Sequence, residues 1–211
     1  MKKGLLFDLD GTLWDSSKAV VDSWNEILTG MEDDIDLLTY DQMKGYMGKT
    51  MEEIAYLAFP RVEKERALAI LKKCELYENE YISTHGGVLM PDLKDVLDTL
   101  KKDYFLAIVS NCQVGYIEAF LEYHKLAQYF DDTENYGNTM LSKGENIRLV
   151  VDRNHLEQAV YVGDIMGDYN STMEAGLPFI HAAYGFGTVP EGTPFITGLK
   201  ELPARVKEVL G

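Results

Sequence analysis

Asp8-Leu9-Asp10-Gly11-Thr12 sets two carboxylates two residues apart, directly after the apolar run Gly4-Leu5-Leu6-Phe7. Alternate residues at the end of an extended strand share a face, so both carboxylates can address one crevice. Holding two such charges close costs Coulomb energy unless a cation or a proton intervenes. A bound Mg²⁺ resolves that conflict, and one carboxylate can then act as a nucleophile while the other donates and accepts protons. The competing reading is a plain turn, since Asp and Gly are common turn residues.

The same strand-then-polar arrangement recurs. Tyr104 to Val109 is apolar and ends at Ser110-Asn111, whose hydroxyl and backbone N–H groups suit phosphate oxygens; alone, such a pair is most often a helix cap. Ala159-Val160-Tyr161-Val162 ends at Gly163-Asp164-Ile165-Met166-Gly167-Asp168 with two further carboxylates. In isolation Asp164 is a turn residue and Asp168 a helix N-cap. Lys143 lies between these two segments at the start of a helical pattern, where a single lysine is ordinarily a solvated surface charge. Phe179-Ile180, after Pro178, reads as a fourth strand. Parallel strands would bring all these ends to one sheet edge, where four Asp, one Ser and one Lys converge. That conjunction weighs against a set of unrelated turns and caps.

The elements needed to position them are legible. Leu93, Val96, Leu97 and Leu100 recur at helical spacing, as do Ile147, Val150 and Val151. Asp168 to Ala175 predicts a helix capped by Asp168 and ended by Gly176. Strands alternating with helices predict a parallel α/β sheet with right-handed crossovers. Residues 16–83 differ: helical stretches (Ala19 to Leu28, Met51 to Phe59, Glu63 to Tyr81) occur without a convincing strand. They read as an all-helical insert with hinges near Asp15 and His85-Gly86-Gly87. The expected organisation is a catalytic core of residues 1–15 and 84–211 and a cap of residues 16–83.

With 211 residues, 46% hydrophobic and 26% charged, the chain has an ordinary globular composition, not that of a disordered, fibrous or membrane-embedded protein. Its 20 basic and 35 acidic residues give a formal charge of −15 with no Lys/Arg cluster, which argues against nucleic acid as a partner. Apolar runs are too short for a membrane span. Cys74 and Cys112 are too few for a disulfide scaffold or a cysteine zinc site, and a cytoplasmic location fits best.

Together these segments resemble the haloacid dehalogenase superfamily, in the branch containing phosphoglycolate phosphatase and β-phosphoglucomutase. Asp8-Leu9-Asp10-Gly11-Thr12-Leu13 resembles the first motif of that family and Val109-Ser110-Asn111 the second. Lys143 matches the third, and Gly163-Asp164 with Asp168, followed by Glu174-Ala175-Gly176, the fourth. Tyr184-Gly185-Phe186-Gly187 is similar to a tail common among phosphoglycolate-type phosphatases. The likeness covers nearly the whole chain and implies an α/β, Rossmann-like parallel core with helices on both faces and a helical cap inserted after the first strand. It also implies that Asp8 attacks phosphorus to form an aspartyl-phosphate and that Asp10 acts as general acid, then base. Mg²⁺ would be held by the Asp8 side chain, the Asp10 backbone carbonyl and the Asp164 side chain. Ser110, Asn111 and Lys143 would grip phosphoryl oxygens, and Asp168 would orient Lys143 or ligate the metal.

Among the reactions of that superfamily, dehalogenation has no leaving oxygen to protonate and leaves Asp10 without a task. A mutase uses the same core, and Asp41-Gln42-Met43-Lys44-Gly45 faintly resembles a mutase cap segment, but the Ser17 to Leu28 stretch lacks a histidine suited to gating acid–base chemistry. A non-catalytic phosphate-binding module would be expected to have lost one of Asp8, Asp10, Lys143 or Asp164. The expected activity is therefore hydrolysis of a small phosphorylated metabolite, phosphoglycolate- or sugar-phosphate-like, by a monomer or homodimer. Specificity is expected from the cap, where Lys44, Gly45, Gly48 and Lys49 would form a loop over the core with Lys44 or Lys49 meeting an anionic group on the substrate, against the plainer reading that both lysines are solvated. Tyr46, Met47 and Trp14 would line the pocket or simply pack.

Overall fold

The computed structural model describes residues 2–31 and 35–211. Its elements in chain order are β1 (Lys3–Phe7), β2 (Trp14–Asp15), α1 (Ser17–Leu28), α2 (Tyr40–Tyr46), α3 (Met51–Ala58), α4 (Lys64–His85), β3 (Val88–Leu89), α5 (Leu93–Leu100) and β4 (Phe105–Ser110). They continue as α6 (Tyr116–His124), β5 (Asp132–Asn135), α7 (Tyr136–Thr139), α8 (Lys143–Arg153), β6 (Gln158–Gly163), α9 (Met166–Ala175), β7 (Phe179–Ala182), β8 (Phe195–Ile196) and α10 (Leu202–Leu210).

Six strands form one sheet in the order β5-β4-β1-β6-β7-β8, and every pairing within it is parallel. The continuous apolar runs are explained by two-sided burial. Leu5 and Phe7 of β1, Leu106 and Ile108 of β4 and Val160 and Val162 of β6 join one core. Leu6, Ala107, Val109, Ala159 and Tyr161, pointing to the opposite face, join a second core with Ile147 and Val150 of α8. This is the Rossmann-like α/β arrangement expected from the sequence.

β1 lies between β4 and β6, so the carboxyl ends of these three strands adjoin. That is where open α/β sheets bind ligands.

The helices α1 to α4 pack chiefly as α1 on α4 and α3 on α4. Thr39 and Thr50 start α2 and α3 with reciprocal capping boxes to Gln42 and Glu53. Both connections to these helices run side by side: Trp14–Asp15 pairs antiparallel with Val88–Leu89.

Two sequence expectations need correction, and one competing reading falls away. The last long helix of the insert continues to His85, past the expected end at Tyr81. Asp168 does not cap α9; that helix starts at Met166, and the Asp168 carboxylate reaches back to the backbone N–H groups of Asp164 and Ile165 from inside the first turn. Ser110-Asn111 caps no helix, because α6 begins only at Tyr116. β5 and β8 went unforeseen, one being the polar run Asp132-Thr133-Glu134-Asn135 and the other two residues long. No helix among the described residues is long and apolar enough to cross a membrane.

Candidate active site

Asp8 leaves β1 with its backbone N–H still bonded to the Val162 carbonyl of β6 at 2.8 Å, so the strand ladder fixes where its side chain begins. Lys143 is held from the other side. Ser142 caps α8 by accepting the Glu145 N–H, which sets Lys143 at the first helical position. Its ammonium donates to Asp8 Oδ1 at 2.7 Å and to Asp168 Oδ1 at 2.6 Å, all three side chains being buried. Asp168 Oδ2 is also occupied, by Asp164 N–H at 3.0 Å and Ile165 N–H at 3.2 Å.

Asp164, at the end of β6, accepts the Phe186 N–H on Oδ2 at 2.6 Å. The loop after β1 presses against it. Gly11 has φ +84°, and a Cβ there would stand 2.2 Å from Asp164 Oδ2, so both backbone conformation and space demand glycine.

Asp10 faces elsewhere. Its Oδ1 accepts the Ser16 hydroxyl at 2.5 Å and lies 2.9 Å from the Tyr116 hydroxyl. Neither partner was singled out in the sequence, because a serine at a helix start and a tyrosine in an apolar helix look ordinary. Phe186 lay in the noted tail, and Tyr184 of the same tail donates to the Thr12 carbonyl at 2.9 Å.

Asp8, Asp164 and Asp168 each offer a carboxylate oxygen within 4.8 Å of the others. Three carboxylates thus face one ammonium. Among the described residues, Asp8 Oδ2 and Asp164 Oδ1 are buried with no hydrogen-bond partner. Orphaned buried acceptors are costly, and these two share one location. A hard divalent cation with an all-oxygen preference fits that donor set and supplies the missing charge.

Proton affinities reflect the same shortage. Burial, then the charge of Asp168, pushes the Asp8 carboxyl up to about 7 against the pull of Lys143. Burial, then Asp8 and Asp168, pushes Asp164 up to about 8. Burial pulls the Lys143 ammonium down, yet Asp168 and Asp8 outweigh it and hold it well above its ordinary value. Burial raises Asp10 to about 6 although the Ser16 and Tyr116 hydroxyls oppose the shift.

These shifts set a pH dependence. A carboxyl whose folded value exceeds the ordinary value of about 3.9 favours the fold while protonated. The contribution of Asp8 and Asp164 is complete below about pH 4 and is lost as pH rises through about 7 and about 8. Thermal melts in chelator are therefore expected to show a melting temperature that falls between pH 5 and pH 8. Added Mg²⁺ should recover most of the loss at pH 8. Equal melting temperatures with and without Mg²⁺ at pH 8 would contradict a cation site here.

Beside Asp10 lies a cavity of about 40 Å³ between the sheet edge and the helical insert. Ser110 and Asn111 line it from the sheet; Met47, Gly48, Lys49 and Glu78 line it from the insert. Asn111 Nδ2 donates to the Gly48 carbonyl at 3.0 Å and ties the two sides together. The cavity is partly open to solvent. Lys44 and Gly45 do not line it. The Lys44 ammonium sits over the rings of Tyr40 and Phe186, 5.1 Å and 5.4 Å from their centroids. Gly45 is exposed. Trp14 is fully buried and packs edge-on against Tyr116 and Phe120.

Residues 5–182 match the family model for haloacid dehalogenase-like hydrolases. A phosphoglycolate phosphatase of Aliivibrio fischeri is 27% identical over 197 residues, covering 87% of this chain and 85% of that protein. A haloacid dehalogenase-like hydrolase from Bacteroides fragilis superposes with a TM-score of 0.80 at 26% identity, over 96% of this chain and 100% of the other. CbbY from Rhodobacter sphaeroides, solved in complex with phosphate, shares the fold with a TM-score of 0.79 at 20% identity, over 98% of this chain and 100% of that one.

Proposed function

The chain belongs to the haloacid dehalogenase-like hydrolases, and we propose that it is a Mg²⁺-dependent phosphatase acting on a small phosphate monoester, phosphoglycolate- or sugar-phosphate-like, through an aspartyl-phosphate on Asp8. We further propose a catalytic core of residues 1–15 and 84–211 served by a helical cap of residues 16–83. The observation that carries the reading is the buried Asp8–Lys143–Asp168 array beside the two unpartnered carboxylate oxygens of Asp8 and Asp164.

In the proposed reaction an Asp8 oxygen attacks phosphorus while the ester oxygen departs with a proton from Asp10. Water then surrenders a proton to Asp10 and attacks phosphorus, releasing inorganic phosphate and restoring the Asp8 carboxylate. An acid–base group works best with a proton affinity near the working pH, and Asp10 at about 6 meets that condition. The Ser16 and Tyr116 hydroxyls orient it. Lys143 keeps Asp8 in one rotamer and, with Ser110 and the Asn111 N–H, would meet the phosphoryl oxygens, where preorganised charge stabilises the transition state most.

The Asp8 and Asp164 side chains and the Asp10 backbone carbonyl would hold the cation. When bound, Mg²⁺ would neutralise charge on the phosphoryl group. Asp168 has both oxygens occupied by hydrogen bonds, which favours a role in positioning Lys143 over direct ligation.

Phosphate release from a panel of small monoesters, with Mg²⁺ and with chelator, tests the reading. Turnover of at least one ester with Mg²⁺ and a loss of more than about a hundredfold in chelator is expected. A folded protein that releases no phosphate from any ester, or equal rates in chelator, would overturn it.

A further inference from the structure

Glu78 of α4 is 3% exposed and lines the cavity together with Asp10. Both of its oxygens are engaged: Gln113 Nε2 donates to Oε1 at 3.0 Å, and the Trp24 indole N–H donates to Oε2. Gln113 also donates to Asn79 Oδ1 at 3.1 Å, so the carboxyl is held from α4, α1 and the loop after β4 at once. Among the described residues it makes no ion pair. Much of the remaining wall is apolar, including Val20, Met43, Met51 and Ile54.

A carboxyl buried without a cation is an expensive way to fill a wall that an apolar side chain would fill more stably. Its position suggests a ligand. Ser110 and Asn111 line the same cavity at the sheet edge, so Glu78 on the insert faces the part of an ester that projects away from the phosphoryl group.

We propose that Glu78 is a specificity-determining residue that selects phosphate monoesters of small, uncharged, hydroxylated alcohols and disfavours esters whose alcohol part carries a carboxylate. The inference rests on the phosphatase reading above and narrows its substrate class. A hydroxyl on the leaving group donates to a remaining lone pair of the Glu78 carboxyl. A carboxylate in the same place would face the Glu78 carboxylate, with Lys49 as the single lysine or arginine in the wall among the described residues. Burial, with a further push from Asp10, raises the Glu78 carboxyl to about 8 against the pull of Gln113 and Trp24, so the ionised form that repels a second carboxylate prevails above that pH.

The test compares kcat/KM for glycerol phosphate, phosphoglycolate and ethyl phosphate in the wild type and Glu78→Gln, both with Mg²⁺ and at pH 9, where Glu78 is ionised. The wild type is expected to favour glycerol phosphate over phosphoglycolate by about tenfold or more. Glu78→Gln, nearly isosteric and able to present an amide N–H to a carboxylate, is expected to shrink that ratio about tenfold. Ethyl phosphate, with neither group, should change by less than about threefold, which a merely structural role for Glu78 would not allow. A wild type that prefers phosphoglycolate overturns the inference without any variant. A ratio unchanged in Glu78→Gln, with turnover intact, overturns it while leaving the phosphatase reading standing; absence of turnover on these three esters by a wild type that hydrolyses another monoester of the panel overturns it alone, and absence of turnover on every monoester overturns both.

Discussion

Asp8→Asn is expected to lower phosphate release by at least ~10⁴-fold, about 5.5 kcal/mol in activation free energy, with the fold intact. The substitution keeps the side-chain shape. The amide oxygen can still accept from the Lys143 ammonium that now donates to Asp8 Oδ1 at 2.7 Å. What disappears is the negative charge and, with it, the nucleophile, and an amide does not attack phosphorus at a comparable rate. Loss of activity through unfolding can be separated cleanly. In wild type, ionising Asp8 is opposed by burial and by Asp168, so a neutral residue there removes a repulsion. In chelator at pH 8 the variant should therefore melt no lower than wild type. A variant that turns over within tenfold of wild type would mean that water attacks phosphorus directly and that Asp8 is a ligand only.

Lys143→Met should produce the largest loss of stability. The lysine is buried and bridges Asp8 and Asp168, and its removal leaves Asp8, Asp164 and Asp168 as a cluster of like charges without a protein cation. Breaking a buried ion pair from one side typically costs about 3–5 kcal/mol, because the remaining charge stays buried without a partner. For a chain of this length that corresponds to a melting temperature lower by roughly 6–20 °C. The cost should depend on pH. At pH 5 the carboxyls can take up protons, as their raised affinities indicate, and the loss should be smaller than at pH 8. Phosphate release should fall by about 10²-fold or more, since one of the preorganised charges on the phosphoryl group is gone. A melting temperature unchanged at pH 8 would show that the ammonium contributes nothing net to the folded array.

The candidate site was legible in part because its members lie at strand ends. A buried strand announces itself by an unbroken apolar run, and β1, β4 and β6 each end in a polar cluster within one or two residues. Such signals involve only near neighbours in the chain. β5 escaped for the same reason: Asp132-Thr133-Glu134-Asn135 has no apolar run, and its polar side chains are satisfied by Arg153, whose guanidinium donates to the Asp132 and Glu134 carboxylates. An edge strand stabilised by an arginine 19 to 21 residues onward carries no local strand signal.

By itself the sequence determined the chemical inventory and the order of the elements, because residue type, apolar period and turn residues act over a few positions along the chain. It also made the parallel sheet legible, since only burial on both faces accounts for strands as uniformly apolar as Leu5-Leu6-Phe7. Only the tertiary structure decided which charges meet. Lys143 reaches Asp8 across 135 positions, and Tyr116 reaches Asp10 across 106. These contacts depend on the register of β1 between β4 and β6 and on how α6 and α8 pack against the sheet. The placement of Glu78 over the cavity while Lys44 rests on two aromatic rings is likewise a result of α2 and α4 docking as rigid helices. A shift of one helical residue turns a side chain by about 100°, so the packing of whole elements decides which of several similar side chains enters the pocket.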